Sequence, residues 1–162
     1  MNVYQAAKKR IELLLNEFDN IYVSFSGGKD SGVLLNTLIQ VIREKNIQRR
    51  IGVFHIDYEA QYQMTTDYVD IELSENSDII DVYRICMPLR AHCATSMHQS
   101  YWTPWNESEK DIWVRSMPEN SINILNHEFP FYREGITDYE FQEQFSLWYH
   151  RHRNAKRTAC LV

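Results

Sequence analysis

Residues 24–31 read Ser24-Phe25-Ser26-Gly27-Gly28-Lys29-Asp30-Ser31 and gather the groups that bind anions. Two adjacent glycines let backbone N–H groups turn toward a ligand with no Cβ in the way. Lys29 adds a point charge, and Ser26 and Ser31 add hydroxyl donors. Asp30 is a residue type that caps a helix or faces a metal ion. The β-rich stretch Ile21–Phe25 precedes these residues, and the helical pattern of Val33, Leu34, Leu35, Leu38, Ile39, Val41 and Ile42 follows them. A strand that runs through glycines into a helix N-terminus offers unpaired amides and a positive dipole end, which is a phosphate cradle. Two commoner phosphate loops are excluded. The Walker loop needs Gly where Val23 stands and Ser or Thr where Asp30 stands. The dinucleotide fingerprint needs Gly-x-Gly, whereas Gly27 and Gly28 are adjacent.

Asp57 is a second candidate, because it ends the strand-like Gly52-Val53-Phe54-His55-Ile56 and ligands sit at strand carboxyl ends in α/β sheets. Other constellations are weaker. Cys86, His92, Cys93 and His98 are close in sequence but lack the compact pairs that zinc requires, so no zinc site is expected. Cys86 reads as buried strand, and Cys160 in Thr-Ala-Cys-Leu-Val reads as core. The basic run His150–Arg157 suits a helix C-terminus, with an anion contact as the alternative. Tyr101, Trp102, Trp105 and Trp113 suit core or a partner-facing surface, with base stacking as the alternative.

The elements that would position these groups alternate. Residues 3–18 have helical spacing, residues 21–25 read as a strand and residues 33–45 as a helix. Residues 51–56 read as a strand, 61–75 as a helix with Met64, Tyr68 and Ile71 on one face, and 79–85 as a third strand. Helix–strand alternation predicts an α/β fold, doubly wound, with a mostly parallel sheet and helices on both faces. Residues 88–137 hold all four prolines and read as an irregular, aromatic-rich insertion, with short elements near 112–115 and 122–127. Residues 139–153 read as a helix burying Phe141, Phe145, Leu147, Trp148 and His152, and 159–162 as the start of a strand. The organisation is thus a regular core over 1–87, an insertion over 88–137, and a helix and strand over 138–162. All are expected to belong to one domain, and the apolar ending raises the expectation that it is a C-terminally shortened one.

At 162 residues and 19.4 kDa the chain has room for one domain with its own core. Its net charge of −5 disfavours non-specific nucleic-acid binding by the chain as a whole, and its longest apolar runs are too short to span a bilayer. Three cysteines without a paired framework and an N-terminus unlike a signal peptide place the chain in the cytoplasm.

Ser26-Gly27-Gly28-Lys29-Asp30-Ser31 matches the SGGxDS signature of the PP-loop (adenine nucleotide alpha hydrolase-like) superfamily at every position. The Lys at the variable position, the following Gly32-Val33-Leu34 and the strand Gly52–Asp57 resemble the phosphoadenosine phosphosulfate (PAPS) reductase branch. Tyr58-Glu59-Ala60-Gln61-Tyr62 replaces the Thr-Gly of true PAPS reductases. It resembles a divergent subfamily that includes a prophage-gene co-activator. The resemblance implies ATP, PAPS or a related adenine nucleotide bound by Ser24, Ser26, Gly27, Gly28, Lys29, Asp30 and Ser31, with adenine at His55, Ile56 and Asp57. It implies Lys29 and Asp30 as catalytic residues and Mg²⁺ at Asp30 and Asp57, with no iron–sulfur cluster. Two functions follow. One is a nucleotide-dependent transferase, pyrophosphatase or reductase, although the Cys motif of reductases is missing. The other is an inactive nucleotide-binding regulator acting through a protein or DNA partner, or as a homo-oligomer.

Overall fold

The computed structural model describes residues 2–94 and 96–162. Helix α1 (Val3–Glu17) starts at a reciprocal cap, in which Asn2 accepts from the Gln5 amide and the Gln5 side chain accepts from the Asn2 amide. Then come β1 (Asn20–Ser24), α2 (Lys29–Glu44), β2 (Ile51–Ile56), α3 (Gln63–Glu75) and β3 (Ile80–Cys86). The short strands β4 (Ala91–His92) and β5 (Tyr101–Trp102) pair antiparallel. A 3₁₀ helix over Glu107–Ile112 leads to β6 (Ile122–Asn123), α4 (Asp138–His152) and β7 (Thr158–Leu161). The main sheet has the order β6-β3-β2-β1-β7, with β1–β2, β1–β7 and β3–β6 parallel. This is the α/β fold that the alternation predicts, with helices flanking a mostly parallel sheet.

The chain divides into two compact units. The first comprises Met1–His55, Tyr62–Tyr83 and His150–Val162, and the second Ile56–Gln61 and Arg84–Tyr149. In the first, β1 and β2 are buried along almost their whole length, as strands of a parallel sheet covered by helices must be. Their Ile21, Val23, Ile51 and Val53 pack with Leu35, Leu38, Val41 and Ile42 of α2 and with Val69 and Leu73 of α3. The second unit has an aromatic core. Phe129 meets Phe141 edge-on at 5.3 Å, and Phe145 stacks on Tyr149 at 5.6 Å. This core accounts for much of the aromatic excess in the second half of the chain.

Several expectations need correction. Helix α2 begins at Lys29, not Val33, so the lysine and aspartate of the loop lie in its first turn. Helix α3 buries Thr66, Val69 and Leu73, while Met64 and Ile71 face solvent. Helix α4 buries Asp138, Phe141, Phe145 and Tyr149, the i, i+3, i+4 row that a helix turns inward, and leaves Leu147 and His152 exposed. Cys160 is exposed on β7 rather than core, since alternate residues of a strand face opposite ways.

Candidate functional site

The strand order reverses at β1. The chain moves outward through β2 to β3 and later returns to the other flank of β1 as β7. The crevice at the carboxyl end of the strands at such a switch point is where α/β sheets hold ligands, and the glycine loop leaves β1 there. Gly27 has φ +78°, a left-handed conformation that glycine adopts without strain. Gly28 is the N-cap of α2 and, lacking a side chain, leaves the helix end open. Ser26 and Ser31 close the loop internally. Their hydroxyls lie 2.9 Å apart, Ser26 Oγ accepts from the Gly28 amide at 3.2 Å, and Ser31 Oγ donates to the Gly28 carbonyl at 3.1 Å. The amides of Lys29, Asp30 and Ser31 are first-turn groups with no acceptor in the helix. Lys29 and Asp30 are almost fully exposed and sit 3.8 Å apart, a solvated pair of little energetic weight. The outcome is an open, donor-rich helix end beside an exposed cation, suited to an oxyanion.

Neighbouring elements hold this loop tightly. A Cβ on Gly27 would come within 2.7 Å of Val69 Cγ2 and 3.0 Å of Thr65 Cγ2, so α3 lies against the turn. Gly32 is similarly confined by the Tyr68 hydroxyl. Burial and the nearby Glu72 carboxylate push the Tyr68 phenol up from its usual range. His55 is buried, with Nδ1 2.7 Å from the Phe25 carbonyl; a carbonyl only accepts, so that nitrogen carries the proton. His55 thus bolts the exit of β1 to β2, joined by a 2.8 Å bond from the Phe25 amide to the Phe54 carbonyl.

In the second unit, Ile56 is buried and Asp57 is completely so. One carboxylate oxygen of Asp57 takes Arg84, with Nε at 3.0 Å and Nη2 at 2.9 Å. The other takes Arg115 and, at 3.0 Å, the Glu59 amide. Glu59 accepts from the Trp105 amide at 2.8 Å and the Val114 amide at 3.1 Å. The Trp105 indole donates to the Asp57 carbonyl at 2.6 Å. Both oxygens of Asp57 are therefore committed, and a Mg²⁺ held by this carboxylate does not fit. Among the described residues no three His, Cys, Asp or Glu side chains converge as a metal site would require. Sequence reasoning missed Arg84 and Arg115, and although it named Glu59 and read Trp105 as core or partner-facing, it gave neither a place beside Asp57. The one local signal was an arginine within the apolar strand residues Tyr83-Arg84-Ile85-Cys86, where a charge demands a buried partner.

The remaining candidates are mostly structural. Cys86 is buried, and burial pushes its thiol up to about 12, so it is no nucleophile at neutral pH. Trp105 is fully buried. Tyr101 lies 3.8 Å beneath the Arg90 guanidinium. In the basic run, Arg153 pairs with Asp81 at 2.9 Å and Arg157 with Glu17 at 3.0 Å, while Asp19 accepts the Lys156 and Arg157 amides and seats the start of β7.

A glycine loop opening a helix at the switch point of a mostly parallel sheet is an arrangement with which α/β proteins hold phosphate. Residues 20–112, more than half the chain, match the phosphoadenosine phosphosulfate reductase domain. The chain belongs to this family. It is also 35% identical over 157 residues to the uncharacterized protein YbdN of Escherichia coli (strain K12). That match covers 96% of this chain and 37% of YbdN, so the chain spans little more than a third of its relative's length. No helix among the described residues is long and apolar enough to cross a membrane.

Proposed function

We propose that this chain binds the phosphates of an adenine nucleotide, ATP or PAPS, at residues Ser24 to Ser31. The observation that carries this reading is the open amino end of α2, where Gly28 supplies no side-chain cap and three amides lack acceptors among the described residues. The loop amides fix the phosphate oxygens, and Lys29 swings onto them and leaves Asp30, which it meets at 3.8 Å in the free chain. Asp30, in the first turn, complements the helix dipole when no ligand is present. Ser26 and Ser31 keep the glycines in place, and His55 fixes the strand exit beneath them. Magnesium is given no ligand from Asp57.

The family leaves open whether bound nucleotide is consumed. The buried, protonated thiol of Cys86 argues against sulfur reduction by that cysteine. Against a reductase acting through Cys86, though not against a transferase or pyrophosphatase, this favours a second reading, a nucleotide-responsive regulator with a protein or DNA partner. Incubation with radiolabelled ATP or PAPS and Mg²⁺ decides between them. Pyrophosphate, AMP or sulfite that disappears with Lys29→Ala supports an enzyme. Binding without product supports a regulator. Failure of the wild-type chain to bind either nucleotide overturns the loop assignment.

A further inference from the structure

The second unit contains a cavity of about 560 Å³ lined by Lys110, Trp113, Arg115, Ser116, Asn123 and Leu125. We propose that this cavity binds a small organic anion, one oxyanion group carried on an apolar body. Three observations lead there.

The first is the fixing of Arg115. Its Nε donates to the Glu59 carbonyl at 2.9 Å, its Nη2 pairs with Asp57, and its guanidinium lies 5.0 Å from the Trp105 ring. Among the described residues Nη1 has no partner, and Arg115 lines the cavity. An arginine already held by its other nitrogens loses little freedom when it captures an oxyanion.

The second is the nature of the support. Asp57 and Glu59 are buried carboxylates, and the left-handed backbone of Glu59 (φ +64°) and Trp105 (φ +55°) is strained for non-glycine residues. Apolar packing of similar volume is commonly as stable as a buried ion network, so stability alone does not account for this one. Strain of this kind gathers where a side chain must be held in a set position.

The third is the lining itself. Lys110 and Arg115 bring cations, and Ser116 a hydroxyl. Asn123 accepts the Leu125 amide through Oδ1 at 2.9 Å, which leaves its NH₂ donors uncommitted among the described residues. Glu107, the acid at the rim, is 3.7 Å from Lys110 and offsets part of that charge, as Asp57 does for Arg115. Arg115 is thus the principal anion contact by virtue of its fixed geometry rather than its net charge. Trp113 and Leu125 form the apolar wall. Trp113 is anchored by its indole, which donates to the Asn106 carbonyl at 3.1 Å, and packs edge-on against Trp105 at 5.1 Å.

The test follows the Trp113 indole N–H in ¹⁵N-labelled protein, assigned with Trp113→Phe, during titration with benzoate, benzenesulfonate and neutral benzyl alcohol. Both anions should shift this signal saturably in the millimolar range, with benzyl alcohol at least about tenfold weaker. Leu125→Asp adds a carboxylate at an exposed wall position, so the fold is retained. It should weaken anion binding about tenfold with the other indole signals unmoved. Absence of a saturable shift with either anion overturns the proposal. So does equal binding of benzyl alcohol, or unchanged anion affinity in Leu125→Asp.

Discussion

Gly27 combines a positive φ with side chains of α3 at contact distance, so its replacement acts on fold and loop together. Gly27→Ala should lower stability by about 2 kcal/mol and displace the turn, read from urea unfolding midpoints. Cys86 makes a prediction about pH. Burial raises its thiol in the folded chain from 9.0 to about 12, while in the unfolded chain it ionises near its ordinary value. The thiol therefore contributes stability fully below pH 9, and this is lost as pH climbs from 9 toward 12. The unfolding midpoint of the wild type should fall over that window more steeply than that of Cys86→Ala. Iodoacetamide at a pH of about 8 should label exposed Cys160 in the native chain and spare Cys86. At this scale the loop was legible because its chemistry is local in sequence. The Asp57 network was not, because Asp57 and Arg115 lie 58 positions apart and only the folded chain brings them together.

Among the elements, α4 shows what periodicity does and does not reveal. Its existence follows from the spacing of Phe141 and Phe145. Its inward face depends on which neighbours cover it, and Tyr149 rather than Leu147 completes the row. Phe145→Ala should destabilise by about 3–5 kcal/mol, whereas Leu147→Ala should cost within about 0.5 kcal/mol, a contrast that thermal unfolding resolves. In helix α3 the expected face holds Met64, Tyr68 and Ile71, but Met64 and Ile71 on that face point to water while Thr66, Val69 and Leu73 turn inward. The ion network is an element-level feature too, tying residues 57–59 to β3 and to the segment after the 3₁₀ helix. Arg84→Ala removes one partner of a completely buried carboxylate and should cost about 3–5 kcal/mol in a denaturant titration.

For the whole molecule, alternation along residues 3–86 was sufficient to give the α/β class, because each crossover between parallel strands needs a helix. In the second unit α4 was legible from its period, but residues 88–137 were not legible beyond short elements, since their aromatic side chains have no repeating period and pack by long-range contact. The chain belongs to the PAPS reductase domain family, and the open end of α2 supports the proposal that it holds nucleotide phosphate. The most direct test is equilibrium binding of radiolabelled ATP and PAPS to the wild-type chain and to Lys29→Ala. The exposure of Lys29 means that this variant should keep the wild-type unfolding midpoint. At least one nucleotide should bind the wild type saturably, and Lys29→Ala should bind it at least about tenfold more weakly. No binding by the wild type, or equal affinity in the folded variant, would contradict the assignment of this loop to phosphate.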